Sequence, residues 1–257
     1  MNSIFTENKE GILGDLAARS ITVNHLPFYY HIHLHMPCNQ RCIMCKPDGK
    51  HPKDALPFQE FVNFFEAIKP VAEHLTLIGG EPLIYPWIGQ VIDLIAGHQI
   101  AVTINTNATM LDETLVEKLL RLHELHLKCS IDAATPQTYF KIRGTDMFER
   151  VTTNLLHFAA EKKGKLHMKQ ILVYVVMREN LREVLPFIEF ARSFEPDRIE
   201  FHPVRHVSEW EVSNRTGWLF DGREQSCEFF QEEYNDIMQR AAAACAREGI
   251  AHETIFI

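Results

Sequence analysis

Three closely spaced cysteines are the residues of this sequence best suited to chemistry. Cys38, Cys42 and Cys45 form a Cys-x3-Cys-x2-Cys pattern, so a single loop can wrap all three thiolates around one inorganic centre. Cubane iron-sulfur clusters ordinarily take four cysteines, so three would leave one iron open to a ligand from outside the protein. The alternative is a zinc site, which usually adds a fourth Cys or His and arranges its ligands as two separated pairs. We therefore predict one 4Fe-4S cluster at these cysteines.

The elements that must position this loop alternate between β-rich runs and amphipathic helical stretches. The predicted strands are Tyr29 to Met36, His74 to Ile78, Ile100 to Thr106, Leu125 to Asp132, Met168 to Val176 and Arg198 to His202. Helices are expected between them, with Asp112 and Asn180 as N-caps. Strict alternation implies parallel strands with right-handed crossovers. The prediction is an α/β fold, a partial (β/α)6 TIM-like barrel with a short C-terminal helical extension.

The domain organisation follows from where this alternation begins and ends. Residues 1–28 form an N-terminal extension, residues 29–204 the barrel, and residues 205–257 a C-terminal loop, helix and short strand packed on the barrel. The segment from Pro203 to Arg223 is expected to be a long loop. The sequence contains no internal repeat or Gly/Ser linker that would mark a second domain.

Further polar motifs follow the next predicted strands. Gly79-Gly80-Glu81-Pro82 follows the second strand, Asn105 and Asn107 end the third, and Ser130 and Asp132 end the fourth, with Arg143 farther along. Taken singly, they have simpler explanations: a turn at Gly-Gly, a cap at Asp132 and a surface ion pair at Arg143. However, barrels build their active sites at the carboxyl ends of the strands, so we expect all of these groups on one face.

Together these motifs resemble the radical S-adenosylmethionine superfamily, in which Cys-x3-Cys-x2-Cys follows the first strand. They are most similar to the sulfatase-maturing and peptide-modifying (SPASM-type) branch, although this sequence lacks the Cys-rich C-terminal extension of that branch. The resemblance implies reductive cleavage of S-adenosylmethionine at the cluster to a 5'-deoxyadenosyl radical, which abstracts hydrogen from a substrate. It also implies an electron donor such as flavodoxin or ferredoxin.

The same resemblance implies which residues contact S-adenosylmethionine. They are Met44, Gly79, Gly80, Glu81, Pro82, Asn105, Asn107, Ser130, Asp132 and Arg143. Glu81 would bind the methionyl amino group, and Ser130 and Arg143 the carboxylate or ribose. Two positions depart from the family pattern: Met44 stands where an aromatic residue is common, and Ala108 where glycine is usual.

Strand alternation predicts a polar, histidine-rich barrel lumen. His31, His33 and His35 of the first strand would face it, and Gln170, Tyr174, Glu200 and His202 would join them from later strands. His33, His35 and His202 are candidate catalytic bases; the alternative is that these histidines are hydrogen-bonded core residues. Cys227 is a candidate hydrogen-atom donor or else an inert thiol, whereas Cys129 and Cys245 are expected to be buried hydrophobes.

The remaining expectations come from composition. A formal net charge of -8 argues against a sequence-independent grip on nucleic acid. The sequence has neither a signal peptide nor an apolar membrane span, which predicts a cytoplasmic protein. The short N-terminal extension favours a polar small molecule over a peptide as the substrate to be oxidised, epimerised or rearranged in a biosynthetic pathway. The alternatives are a glycyl-radical-enzyme activase and a non-catalytic protein that keeps the fold and acts by binding.

Overall fold

The computed structural model describes residues 3–45, 55–205, 211–213 and 219–257. The strands are β1 (Tyr29–His35), β2 (His74–Gly79), β3 (Ala101–Thr106), β4 (Glu124–Ser130), β5 (Met168–Val176), β6 (Arg198–Pro203), β7 (Glu211–Ser213), β8 (Leu219–Asp221) and β9 (Ala251–Thr254). Within the described residues, seven strands form one sheet in the order β1-β2-β3-β4-β5-β6-β9, and all neighbours pair in parallel. The sheet is open, which confirms the predicted partial barrel.

Helices alternate with the strands of this sheet and flank both ends of it in sequence. They are α1 (Ser3–Ala17), α2 (Phe58–Ile68), α3 (Ile88–Ala96), α4 (Glu113–Leu119), α5 (Pro136–Arg143), α6 (Phe148–Glu161), α7 (Val184–Ala191), α8 (Gly222–Gln225) and α9 (Gln231–Arg247). The apolar stripes of α2 to α7 and of α9 cover the outer face of the sheet and pack on the helix-facing residues of the strands, such as Leu77, Ile104 and Leu127, which are fully buried. None of the helices in the described part of the chain is both long and apolar enough to span a bilayer.

Both ends of the chain contain elements beyond the six predicted β/α units. Helix α1, which was not predicted, buries none of its residues and is tied to the barrel by an ion pair of 2.6 Å between Lys9 and Glu73. At the other end, β9 pairs with β6 and extends the sheet by one strand. The predicted loop from Pro203 to Arg223 is partly wrong, since β7 and β8 pair as an antiparallel hairpin; residues 206–210 and 214–218 lie outside the described residues.

The prediction that Gln170 and Tyr174 face the lumen is wrong. Both side chains are fully buried on the helix side, where Gln170 donates to the Leu155 carbonyl at 3.4 Å and Tyr174 to the Asn180 carbonyl at 2.9 Å. The reason is that β5 is apolar on both faces, so its hydrophobic pattern does not fix which side is which.

Asn180 does not act as the helix N-cap expected from its position. Its side chain makes no capping bond. Instead, Asn180 Nδ2 donates to the carbonyls of Asp132 and Val175, both at 2.9 Å, and its Oδ1 accepts from the amide of Met177 at 2.8 Å. The side chain therefore ties the end of β4 to the end of β5. Asp112, in contrast, caps α4 as predicted, accepting from the Leu115 amide at 2.9 Å.

Candidate functional site

The three-cysteine loop follows β1 and is fastened to the C-terminal end of α5. The amide of Ile43 donates to the Ile142 carbonyl at 2.9 Å, and the amide of Arg41 donates to the Arg143 carbonyl at 3.2 Å. Carbonyls in the last turn of a helix have no partner within the helix, so they are free to accept these bonds. The end of α5 thus holds the loop backbone and, through the same residue, brings the Arg143 side chain to the cysteines.

The cysteines of the loop differ in their surroundings. Cys42 is buried, whereas Cys38 and Cys45 are exposed, and none forms a disulfide. A hydrogen bond from Cys45 lowers the pKa of Cys42 to about 7 against the effect of burial, helped by the charge of Arg143, whose Nη1 lies 3.5 Å from Cys42 Sγ. The hydrogen bond to Cys42 and burial raise the pKa of Cys45. Because the thiolate is the form that binds metal, Arg143 favours the ligating state of Cys42.

Gly79 and Gly80 bring the end of β2 against the start of the cysteine loop. The Gly80 amide donates to the His35 carbonyl at 2.9 Å, and the Glu81 amide donates to the Pro37 carbonyl at 3.0 Å. A Cβ atom at Gly80 would lie 2.0 Å from the Met36 carbonyl oxygen. These glycines therefore allow two backbone segments to touch, rather than only leaving space for a ligand.

The close approach at Gly80 predicts that a methyl group added there will destabilise the protein. We expect Gly80→Ala to lower the free energy of unfolding by about 1–3 kcal/mol, because the loop backbone must move to relieve the clash. Gly97→Ala is the matched control, since a Cβ there meets nothing within 4 Å. Urea unfolding of both variants measures the difference, and equal stabilities would show that the Gly80 contact does not form.

Glu81 is almost fully buried and acts as an anchor for the end of β3. Its Oε1 accepts from the Thr106 hydroxyl at 2.6 Å and the Leu83 amide at 3.0 Å, and its Oε2 accepts from the Asn107 amide at 2.6 Å. Burial raises the pKa of Glu81, opposed by these hydrogen bonds. The following Pro82 starts a single 3-10 turn, for which Glu81 is the N-cap.

Asn107 joins the end of β3 to the cysteine loop. Its Nδ2 donates to Asn39 Oδ1 at 2.8 Å, and its Oδ1 accepts from the Thr109 hydroxyl at 2.6 Å. Asn39 Nδ2 donates to the same Thr109 hydroxyl at 2.7 Å. The next residue, Ala108, is buried at φ 59°, a left-handed conformation that explains why glycine is usual there. Asn39 and Thr109 were missed by the sequence analysis, although Asn39 lies inside the cysteine motif.

Asp132 and Arg143 form a buried ion pair at the end of β4. Asp132 is 0% and Arg143 7% exposed in their side chains, and the carboxylate contacts Arg143 Nη2 directly. Asp132 Oδ1 also accepts from the Val175 amide at 2.7 Å. Arg143 Nε is buried without a hydrogen-bond partner among the described residues, which leaves a donor for a further anion. The pair is internal, which rules out the surface ion pair considered for Arg143.

The other predicted residues fall into two groups. His33, Asn105 and, in part, Ser130 are open to the lumen, and His202 is 40% exposed beside Glu200. His35, in contrast, is buried, with Nε2 2.7 Å from the Glu81 carbonyl. The remaining members pack away from the lumen: Met44 against a small apolar cluster of Ile43, Ile142, Met177 and Phe220, and Cys227, Cys129 and Cys245 in the core.

Cys227, the candidate hydrogen-atom donor, is buried in the core. It is 0% exposed, and its Sγ donates to the Val176 carbonyl at 3.2 Å. Burial raises the pKa of Cys227 to about 12. The burial of Cys129 and Cys245 confirms the prediction that these two are hydrophobes.

Glu200 lies at the centre of a charged group in the lumen and is only 1% exposed. Lys128 Nζ is 2.9 Å from its Oε2, Arg198 Nη2 is 2.5 Å from its Oε1, and His202 Nε2 is 3.2 Å from its Oε2. Burial alone would raise the pKa of Glu200, but hydrogen bonds from His202 and Lys128 and the charges of Lys128 and Arg198 lower it to about 2.

This lowered pKa predicts acid sensitivity. Since the pKa of Glu200 is about 2 in the folded protein and 4.5 ordinarily, its stabilisation is complete above the ordinary pKa and is lost as pH falls toward the lowered one. We expect wild type to lose up to about 3 kcal/mol more unfolding free energy than Glu200→Gln over this range. Urea unfolding at several pH values tests it; parallel losses in the two proteins would contradict the lowered pKa.

The donors at this rim suit an iron-sulfur cluster with S-adenosylmethionine. Among the described residues, no three metal-ligating side chains are already close enough together to hold one metal ion. The match to the cluster and cofactor is therefore judged from the chemical type of the donors and their order along the chain. Cys38, Cys42 and Cys45 offer three free thiols from one loop. The spare Nε–H of Arg143 can donate one hydrogen bond to a carboxylate, and the positive charge of the guanidinium favours that anion. The cluster would be held by the cysteines, and the carboxylate of S-adenosylmethionine by Arg143.

Comparisons with known proteins agree on one family. The model of the Radical SAM superfamily matches residues 37–191, more than half of the chain. GTP 3',8-cyclase of Gloeobacter violaceus is 30% identical over 209 residues, which cover 77% of this chain and 61% of the relative. Mycofactocin maturase MftC of Mycobacterium tuberculosis is 23% identical over 159 residues, which cover 61% of this chain and 40% of the relative.

Solved structures agree with this on the fold. Streptococcus suis SuiB bound to S-adenosylmethionine matches with a TM-score of 0.71 at 16% identity, covering 98% of this chain and 55% of SuiB. The chain spans less than two thirds of the length of each of these three proteins. With the family model matching more than half of its length, this chain belongs to the radical S-adenosylmethionine superfamily, whose members use a 4Fe-4S cluster and S-adenosylmethionine.

Proposed function

We propose that this chain is an enzyme that uses a radical to abstract hydrogen from a polar substrate, leading to oxidation, epimerisation or rearrangement. The observation that carries the proposal is the meeting of four strand ends: the cysteine loop after β1, Glu81 after β2, Asn107 after β3, and the ion pair of Asp132 and Arg143 after β4. When bound, the cluster and S-adenosylmethionine supply a 5'-deoxyadenosyl radical by one-electron reduction, with flavodoxin or ferredoxin as the proposed electron donor.

The residues of the chain hold and orient these groups. The three cysteines bind the cluster, and Arg143 stabilises the thiolate of Cys42 and takes the carboxylate of S-adenosylmethionine. Glu81 keeps the end of β3 in place through its bonds to Thr106 and Asn107. One of its four lone-pair positions is unused among the described residues, which supports the proposed bond to the methionyl amino group.

The substrate enters the polar lumen below this rim. SuiB has been solved with a precursor peptide, SuiA, and another relative bears the name of a GTP cyclase. The first name points to a peptide substrate and the second to a small molecule, so the names alone do not decide between them. We propose a small molecule, because the charged group around Glu200 lies inside the barrel rather than along an open groove.

We further propose His33 and His202 as proton acceptors where oxidation requires a proton to leave. Both are exposed to the lumen, whereas His35 is hydrogen-bonded to the Glu81 carbonyl and takes a positioning role. In assays with the substrate, the variants His33→Asn and His202→Asn should still form 5'-deoxyadenosine but should form less product than wild type. Full product formation by both variants would refute the proposal.

The function is tested by anaerobic reconstitution with iron and sulfide, followed by dithionite and S-adenosylmethionine. We expect cluster absorbance and slow formation of 5'-deoxyadenosine even without substrate, measured by mass spectrometry, and none when dithionite is omitted. A protein that gains no cluster and forms no 5'-deoxyadenosine would instead be a non-catalytic binding protein.

A further inference from the structure

We propose that the lumen binds an anionic group of the substrate, a carboxylate or a phosphate, between Lys128 and Arg198. This inference rests on the proposed function in one respect, namely that the substrate occupies the lumen. It is carried by the arrangement and balance of charge on the inner face of the sheet.

Strand register brings the two cations to one level. Asn105 pairs with Lys128, Lys128 with Ile171, and Ile171 with Arg198, so these residues form one row across β3 to β6. Ile171, between the cations, is apolar. Lys128 and Arg198 are therefore separated by one strand and face the same volume, roughly 10 Å apart at the backbone.

The two cations share one buried carboxylate. Both contact Glu200, so the three groups together carry a charge of +1, and the next carboxylate on this face, Glu253 of β9, is exposed and screened by solvent. Lys128 keeps 29% and Arg198 39% of the side chain exposed, while Glu200 keeps 1%. An ammonium has three donors and a guanidinium five. Each uses one on Glu200, which leaves donors for a second anion.

The height of the row fits a substrate below the cofactor. Ser130 shares a row with Val173 and Glu200, and it lies two residues beyond Lys128 along β4. At about 3.3 Å per residue, the backbones of Lys128 and Arg198 lie about 7 Å below the rim where S-adenosylmethionine is proposed to bind, and their side chains reach up to Glu200. An anion held there would leave the rest of a small molecule pointing up toward the site of hydrogen abstraction.

The chain provides a matched control for this arrangement. Lys118 and Arg121 on the outer surface share the carboxylate of Asp93, so they repeat the combination of one Lys, one Arg and one carboxylate. Lys118 is 28% exposed, almost the same as Lys128, but Asp93 is 39% exposed rather than buried. Exposed charges are screened by water and salt, so this group should bind an anion poorly.

The test is calorimetric titration of the reconstituted protein at low salt, saturated with S-adenosylmethionine so that the open iron is occupied, with two probes, citrate for carboxylates and pyrophosphate for phosphates. We expect binding of one or both, about tenfold weaker in Lys128→Met and unchanged in Lys118→Met. Glu200→Gln removes the competing carboxylate and should tighten binding by about the same factor. If Lys128→Met fails to fold, this gain alone tests the site, since a purely structural ion pair would not produce tighter binding.

The outcomes separate this inference from the proposed function. Citrate binding alone identifies a carboxylate substrate, and pyrophosphate binding alone a phosphate. If wild type forms 5'-deoxyadenosine but binds neither probe, or if Glu200→Gln leaves binding unchanged or weaker, the anion site is refuted while the proposed function stands. If the probes bind as expected but no 5'-deoxyadenosine forms, the proposed function fails and the anion site stands.

Discussion

Cys42→Ala is expected to abolish cluster assembly and to lower 5'-deoxyadenosine formation at least about a hundredfold. Cys42 is the buried cysteine of the loop, between Gln40, whose Oε1 is 3.8 Å from its Sγ, and Arg143 at 3.5 Å. Alanine removes a thiolate ligand that no other described cysteine can replace, since the cysteines outside the loop are buried in the core. The measurements are iron and sulfide content, cluster absorbance and 5'-deoxyadenosine after anaerobic reconstitution.

Cys129→Ala is the matched control for this prediction. Cys129 is 1% exposed on the helix side of β4, so its loss removes a buried sulfur without touching the loop. We expect this variant to lose about 1 kcal/mol of stability and to retain full iron content. Iron retained by Cys42→Ala at the wild-type level would refute the three-cysteine cluster, and iron lost from Cys129→Ala would show that general instability explains the loss.

The sequence predicted the fold and the rim because both depend on local signals. The periodicity of strands and helices predicted the parallel strands. The motifs that follow β1 to β4 then lie together, because the carboxyl ends of adjacent parallel strands share one edge of the sheet. The sequence could not show which residues of β5 point to the lumen and which to the helices. Ile171, Val173 and Val175 on the inner face of this strand are as apolar as the residues on its outer face. Only the helices packed outside decide that Gln170 and Tyr174 are buried there.

Long-range hydrogen-bond partners are not visible in the sequence. Glu81 is predicted to bind a ligand, but its hydrogen bonds to Thr106 and Asn107 span 25 and 26 residues and form only once β2 and β3 are side by side. Asn180 was assigned to a cap from its position before a helix, but its partners at the ends of β4 and β5 satisfy its side chain instead. Helix α1 was missed because, without buried residues, it has no apolar stripe to detect.

Arg143→Met is expected to lower the free energy of unfolding by about 3–5 kcal/mol, the usual cost of leaving a buried charge without its partner. The Asp132 carboxylate is 0% exposed, and its contact with Arg143 is the ion pair that compensates its burial in the described residues. Burial already raises the pKa of Asp132, and the charge of Arg143 opposes that rise. Urea unfolding at neutral pH measures the loss.

The double variant Asp132→Asn with Arg143→Met should recover a large part of this loss, because it removes the unpaired charge. The amide oxygen introduced at this position can still accept from the Val175 amide, as Asp132 Oδ1 does at 2.7 Å. We expect a coupling of more than about 1 kcal/mol between the two sites. Arg240→Met is the control: its pair with Asp236 is 57% and 65% exposed, so its loss should cost less than about 0.5 kcal/mol. If Arg143→Met costs no more than this control, the buried pair does not exist in solution, and Arg143 is free to serve the cofactor alone.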